Sequence, residues 1–302
     1  MMHSIAHISQ GVAKGDFLML AKAISWIENR QEGAEEFLES LQPNFTPIIG
    51  ITGPPGAGKS TLISCLIANW VKSGKRVAIL SVDPSSPFHK GAILGDRIRM
   101  KDWYTHPNVF IRSLATRGHL GGLMSGMIEL TTLLQSVGFD IILIETVGVG
   151  QSEVEIAGLA DTTVVVLVPE AGDEVQMMKS GLMEIANIFV VNKSDRPDAE
   201  AFSNHLLHMM REGLGEQPTI PVIKTIATQQ LGIDKLMDEI LLQQTNPLSA
   251  ARKKQLLINK LYQIIAAHQM RQLNHAFIEA QLETEMKKPH FNIFTFSKMY
   301  YK

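Results

Sequence analysis

Pro47-Ile48-Ile49-Gly50-Ile51-Thr52-Gly53-Pro54-Pro55-Gly56-Ala57-Gly58-Lys59-Ser60-Thr61 is the stretch on which the reading of this chain turns. Its first six residues form an apolar, strand-like run. Gly53 to Ser60 then match G-x-x-x-x-G-K-[ST] in full, and a helical pattern opens at Lys59. Strand, glycine-rich loop and helix in that order build a cradle for phosphate. Glycines let successive main-chain N–H groups turn inward, and the helix N-terminus adds partial positive charge. Gly53, Pro55, Gly56, Ala57, Gly58, Lys59, Ser60 and Thr61 are the candidate phosphate-binding residues. Lys59 would neutralise β- and γ-phosphate oxygens, the Ser60 hydroxyl would ligate Mg²⁺, and Thr61 would reach the α-phosphate. A plain helix-capping turn is the blander reading, and it does not account for Lys-Ser in these places.

Outward from this loop, residues 46–245 alternate short apolar runs with longer helical patterns. The runs are Pro47–Thr52, Arg76–Val82, Val109–Arg112, Asp140–Glu145, Thr162–Val168, Ile188–Asn192 and Pro221–Thr225. Several are near-continuous Val, Ile and Leu, as in strands covered on both faces. Spacers such as Lys59–Lys72 and Gly122–Ser136 suit crossover helices. The alternation predicts an α/β fold with a doubly wound, mostly parallel sheet. Residues 1–45 read as a helical extension, with Asp16 as the N-cap of a helix whose apolar positions are Phe17, Leu20, Ala21, Ile24 and Ile27. Residues 246–302 read as a second helical extension. Leu256, Leu257, Leu261, Ile264 and Ile265 give a helix over 250–282 an apolar face, so this arm is expected to dimerise; the tail from Lys287 onward is expected to be irregular.

Three further places carry chemistry. Ile188–Val191 delivers Asn192-Lys193-Ser194-Asp195, an N-K-x-D tetrapeptide at a strand end. The Asp195 carboxylate would accept hydrogen bonds from guanine N1–H and the 2-amino group. Adenine offers neither donor, so a buried acceptor built for them rejects it. Asn192 and Lys193 would tie this loop to the phosphate loop and pack on the base. Asp140–Glu145 is a buried-type strand followed by Thr146-Val147-Gly148. Glu145 would reach Mg²⁺, directly or through water, and the Gly148 N–H would meet the γ-phosphate and be released on hydrolysis. Asp83 and Asp96 are the remaining candidates for Mg²⁺ and water positioning, with Lys59, Asp96 and Glu145 as the catalytic set. The position after Gly148 is Val149 rather than a water-orienting Gln, so slow intrinsic GTP hydrolysis, accelerated by a partner, is expected.

Composition narrows the classes. With 28 basic and 30 acidic residues, the charge gives no case for nucleic acid or an anionic membrane surface. One cysteine excludes an internal disulfide and fits a reducing compartment. No basic segment followed by a clean apolar stretch suggests a signal peptide, and no apolar run reaches spanning length, so the expected location is the cytoplasm. His3 and His7 read as solvated residues, not zinc ligands.

Together GPPGAGKST, VDPSSP, GAILGDRIRM, ETVGVGQSE, PEAGDEVQMMKSG and VVNKSD resemble the MeaB/ArgK/MMAA-type GTPases, within the SIMIBI class of P-loop proteins. The resemblance covers about residues 10–245. It implies a Mg²⁺-dependent GTP/GDP-binding homodimer. It implies a chaperone for an adenosylcobalamin-dependent acyl-CoA mutase, typically methylmalonyl-CoA mutase, acting in cofactor loading and protection. By motif it gives Lys59 and Ser60 the phosphate-loop roles, Asp83, Asp96 and Glu145 the switch and metal roles, and Asn192, Lys193 and Asp195 the base role. The loop from Glu170 to Lys179 resembles the family's third switch, with Asp173, Gln176 and Lys179 as signalling candidates. The family's Ser-Ala guanine loop falls at Ile226-Ala227, where the Ala227 N–H would meet guanine O6 although the Ser is lost. A metallochaperone GTPase for nickel enzymes is a competing reading, weakened by the single Cys and the absence of a His-rich tract. A small-molecule kinase would use ATP and need no NKSD. Some members of the family bear a transport-system kinase label, but no second phosphoacceptor site is identifiable in this chain.

Overall fold

The computed structural model describes residues 5–83, 100–115, 122–146, 155–170, 181–214, 220–245 and 248–300. Among these residues seven strands form one sheet: β1 Ile48–Thr52, β2 Val77–Asp83, β3 Val109–Ala115, β4 Ile141–Thr146, β5 Thr162–Leu167, β6 Ile188–Val191 and β7 Val222–Lys224. Their order is β3-β2-β4-β1-β5-β6-β7, and every pairing is parallel. The doubly wound sheet expected from the apolar runs is therefore present, and it is all-parallel. From β1 the chain crosses outward to β2 and β3; from β5 it crosses the other way to β6 and β7. The reversal falls at the centre, and ligands of such sheets bind outside the carboxyl ends of strands at that point.

The strand residues form these elements because both faces are covered. Alternate residues of β1, β2 and β4 belong to two cores. Ile48, Ala78, Leu80, Val82, Ile142 and Ile144 pack with α2 (Phe17–Glu28) and α5 (Gly122–Gln135). Ile49, Ile51, Ile79 and Leu143 pack with α4 (Lys59–Lys72) and α8 (Ile233–Thr245). A third core joins β5 and β6 to α6 (Leu182–Ile185) and α7 (Ala199–Leu214).

The N-terminal segment is helical: α1 Ile5–Ala13, α2, and α3 Ala34–Ser40. Asp16 caps α2, accepting from the N–H groups of Leu18 at 2.8 Å and Met19 at 3.1 Å. Arg112 on the edge strand β3 pairs with Glu28 at 2.7 Å, tying α2 to the sheet.

The C-terminal segment differs from expectation in two respects. The helix read over 250–282 is two helices, α9 Leu248–Arg271 and α10 His275–Glu285. The break falls where the Asn274 side chain accepts from Phe277 N–H at 3.0 Å and starts a new helix. The tail is not irregular throughout. Asn292 caps α11 Ile293–Ser297 and Phe296 is buried, packing edge-on against Tyr300.

Helix α9 docks on the rest of the molecule through a mainly polar stripe. Lys260 Nζ donates to the Leu159 carbonyl at 3.0 Å, and Arg271 bridges Glu35 and Glu129, each at 3.0 Å. Leu256 is the buried apolar residue on this stripe, while Leu257 and Leu261 are 57% and 54% exposed. Burial pushes the Lys260 ammonium below its usual pKa, against the pull of Asp161. No described helix is long and apolar enough to cross a membrane.

Candidate functional site

The phosphate-loop residues lie between β1 and α4, at the carboxyl edge of the sheet. Gly58 is the N-cap of α4 with φ 88°, a left-handed conformation that a side chain disfavours. A Cβ there would stand 2.4 Å from Asn192 Nδ2, and one at Gly53 would stand 2.0 Å from the Val166 carbonyl oxygen. Both glycines therefore let the loop press against β5 and the Asn192 loop. The Lys59 ammonium is buried and curls over the loop, donating to the carbonyls of Gly53 at 2.6 Å and Pro54 at 2.9 Å. Pro55 and Gly56 are exposed, Ala57 is buried, and Thr61 lies on the first turn of α4.

Glu145 is buried in β4, directly beside the central strand β1. Its Oε1 accepts the Ser60 hydroxyl at 2.8 Å, and its Oε2 faces the Ser81 hydroxyl of β2 at 3.4 Å. Sequence reading missed Ser81. The signal was a single hydroxyl inside the aliphatic run of β2, and only the register that sets Ser81 opposite Glu145 gives it meaning. Two hard oxygen groups, a hydroxyl and a carboxylate, thus meet at the loop that would hold phosphate. That donor set fits Mg²⁺. Asp83 ends β2 at the same edge of the sheet.

The base-reading candidates gather on the other side of the loop. Asn192 is buried, and its side chain joins three segments. Its Nδ2 donates to the Ala57 carbonyl at 2.9 Å, while Oδ1 accepts from Thr225 Oγ1 at 3.1 Å and Ala227 N–H at 3.2 Å. Ser194 is held by its N–H and hydroxyl on the Thr225 carbonyl, at 3.1 and 3.0 Å. Lys193 has φ 55°, uncommon for a non-glycine residue and concentrated at functional turns. Asp195 follows, exposed, with its carboxylate open to a ligand. Cys65 of α4 lies buried behind this junction, its thiol on the Ala227 carbonyl at 3.0 Å; burial raises its pKa.

The structure thus brings Gly53, Gly58, Lys59, Ser60, Glu145, Asn192, Lys193, Asp195 and Ala227 to one edge of one sheet. Asp96, Gly148, Asp173, Gln176 and Lys179 lie outside the described residues.

Comparison with known proteins bears on the same residues. The family model described as "Methylmalonyl Co-A mutase-associated GTPase MeaB" matches residues 20–280. A putative GTPase of Pyrococcus abyssi is 47% identical over 244 residues, spanning 78% of this chain and 75% of that protein. The mouse protein named "Methylmalonic aciduria type A homolog, mitochondrial" is 40% identical over 201 residues, spanning 61% of this chain and 48% of its own length. A solved structure titled as a LAO/AO transport system kinase aligns with TM-score 0.68 and 23% identity, covering 99% of this chain and 98% of that one, a likeness of fold. The matched span takes in the phosphate loop, Glu145 and the Asn192-to-Asp195 turn together, and this chain belongs to the MeaB family of P-loop GTPases.

Proposed function

We propose that this GTPase is a Mg²⁺-dependent chaperone for an adenosylcobalamin-dependent acyl-CoA mutase, with methylmalonyl-CoA mutase as the expected partner. The observation that carries the reading is the family match over residues 20–280, whose description couples the GTPase to that mutase. The mouse relative's name points to the same metabolism.

In this reading the inward amides of Gly53 to Gly58, with Lys59, hold the β- and γ-phosphates, and Thr61 meets the α-phosphate. Ser60 and Glu145 hold Mg²⁺, with Asp83 and Asp96 as further carboxylates for the ion and the water. Bound there, the ion would neutralise charge on the phosphates. Lys59 already points over the loop, so it would exchange carbonyl partners for phosphate oxygens without leaving its pocket. Asp195 pairs guanine N1–H and the 2-amino group. The Ala227 N–H bonds to Asn192 here, so Asn192 fixes the segment that would face guanine O6. Gly148 follows the γ-phosphate, and the loop carrying Asp173, Gln176 and Lys179 reports the nucleotide state to the mutase. Without a Gln after Gly148, intrinsic hydrolysis is slow and the mutase accelerates it.

Residues 1–45 act as a helical extension, 46–245 as the GTPase domain and 246–302 as a dimerisation arm. The homodimer forms through the apolar side of α9. The location is the cytoplasm, beside the mutase, with no role for nucleic acid or membrane.

The test is co-purification of this chain with a cobalamin-dependent acyl-CoA mutase in GTP and in GDP, followed by cofactor loading. Nucleotide-dependent binding that changes loading is expected. Equal, absent or nucleotide-blind binding would remove the chaperone reading and leave the GTPase.

A further inference from the structure

Two buried threonines close the central strand pair at its site-bearing end. Thr52 is the last residue of β1, directly before Gly53, and Thr146 the last of β4, directly after Glu145. The β1–β4 register runs from Ile48↔Ile142 to Ile51↔Glu145. One residue beyond it, Thr146 Oγ1 donates to Thr52 Oγ1 at 2.8 Å. Among the described residues, this side-chain bond is therefore the last tie between the two strands, at the point where one becomes the phosphate loop.

The pair lies on the opposite sheet face from Glu145. Side chains alternate along a strand, so Thr52 shares the face of Ile48, and Thr146 that of Ile142 and Ile144, against α2 and α5. Glu145 and Ile51 face α4, where Ser60 sits. The threonine side chains lie on the face away from the Ser60–Glu145 pair. They hold the backbones from behind.

Stability does not account for them. Both are within 1% of full burial, in strands whose remaining residues, Glu145 apart, are Ile, Leu and Gly. Two valines have the same shape, and exchanging both partners of a buried hydrogen bond for apolar isosteres is close to neutral. A hydroxyl pair does what two valines cannot: it fixes the separation and torsion of two strand ends through a directional bond.

We propose that Thr52 and Thr146 are positioning residues for GTP hydrolysis: their hydroxyl bond holds the phosphate loop and the Glu145 strand end at the separation the reaction needs. The idea rests on the site as read above. Reacting groups misplaced by about 1 Å lose on the order of a hundredfold in rate. Loosening one tie among several should cost less, on the order of tenfold.

The experiment compares wild type, Thr52→Val/Thr146→Val, Thr52→Ser/Thr146→Ser and Glu145→Gln. Melting temperature, GDP affinity without Mg²⁺, and single-turnover GTP hydrolysis across a Mg²⁺ titration are read for each. The double valine variant should melt within about 3 °C of wild type, bind GDP within about threefold, and hydrolyse about tenfold more slowly at saturating Mg²⁺. The double serine variant should recover most of the rate. A double valine variant that hydrolyses at the wild-type rate overturns the proposal. So does one that unfolds, because the argument requires two valines to be tolerated. If Glu145→Gln leaves both rate and Mg²⁺ dependence unchanged, the site reading itself fails and the proposal goes with it; a Glu145 effect without a valine effect removes the proposal alone.

Discussion

The Ser60 hydroxyl donates to Glu145 Oε1 at 2.8 Å, with both side chains buried at the carboxyl edge of the sheet. Residues 85 positions apart thus meet where a loop built for phosphate begins. Replacing Glu145 by Gln keeps the volume and the acceptor oxygen but removes the charge. The half-saturating Mg²⁺ for single-turnover hydrolysis should then rise by at least about tenfold, because a neutral amide is a poorer ligand for a hard dication. GDP affinity measured in excess chelator should change by no more than about threefold. An unchanged Mg²⁺ titration would show that Glu145 is a buried partner of Ser60 and nothing more.

Asn192 and Asp195 divide the work of the base loop, so their variants should fail differently. Asn192→Ala leaves the Ala57 carbonyl, the Thr225 hydroxyl and the Ala227 N–H without their shared partner. Each orphaned buried group costs about 1–3 kcal/mol, so this variant should lose both fold stability and nucleotide affinity. Asp195 is exposed, and Asp195→Asn should leave the melting temperature of the nucleotide-free protein in place. Its affinity for GTP should fall by about a hundredfold or more, while a xanthine nucleotide, which presents an acceptor where guanine presents a donor, should bind better than GTP. Competition between the two nucleotides measures this directly.

The pattern of what could be read from the sequence has a physical basis. A parallel strand buried on both faces writes itself as a continuous Val/Ile/Leu run, so β1, β4, β5 and β6 were legible to within a residue or so of their ends. The Lys59–Lys72 helix follows from the loop that precedes it, with the same bounds in the structure. The site residues that sit on motifs were legible for the same reason. Ser81, Thr52 and Thr146 were not. Their meaning lies in which strands are neighbours, and β4 reaches its place between β2 and β1 only through a crossover that no local pattern encodes. The break between α9 and α10 escaped because the apolar pattern carries past it, and the deciding element is one capping bond from Asn274. α11 escaped because five residues are too few to show a helical period.

Gly58→Ala tests the close approach of the two loops. The added Cβ would enter a space 2.4 Å from Asn192 Nδ2, at a backbone φ of 88° that alanine resists. Strain and collision act together, and the Asn192 side chain must move off the Ala57 carbonyl. GTP and GDP affinity should fall by at least about tenfold, and the melting temperature should drop by several degrees, as for about 1–3 kcal/mol of backbone strain. Gly56→Ala is the control. Its φ of 79° imposes a similar conformational cost, but a Cβ there meets nothing within 4 Å. The difference between the two variants isolates the contact with Asn192.

The polar docking stripe of α9 predicts that this helix is held by charge rather than by apolar burial. Arg271→Ala removes both bridges to Glu35 and Glu129, each of which is only partly shielded from solvent. Single exposed pairs contribute about 0–1 kcal/mol, so global stability should change little. Amide exchange within Leu248–Arg271 should nevertheless quicken in the variant, and in the wild type as salt is raised past the point where the Debye length falls to about 3 Å. Exchange in α4 and the central strands should stay the same. Equal protection of α9 at low and high salt would mean that the few apolar contacts around Leu256 hold it.

The exposed apolar residues of the same helix carry the dimer prediction. Leu257, Leu261, Tyr262, Ile264 and Ile265 are exposed in the single chain, although a helix that merely packs on its own domain turns such residues inward. Here the polar residues Lys260 and Arg271 turn inward instead, which leaves the apolar side for a second surface. A twofold partner of the same chain satisfies this with one self-complementary patch. Leu261→Glu puts a charge at the middle of the patch without touching the domain. Light scattering should show the wild type at twice the mass of the chain and the variant at the mass of the chain. Because Leu261 is 54% exposed in the monomer, the variant should keep its fold and its affinity for GDP. A variant that still runs at the wild-type mass would mean that this face is not where two copies meet, and one that unfolds would mean that Leu261 supports the monomer itself.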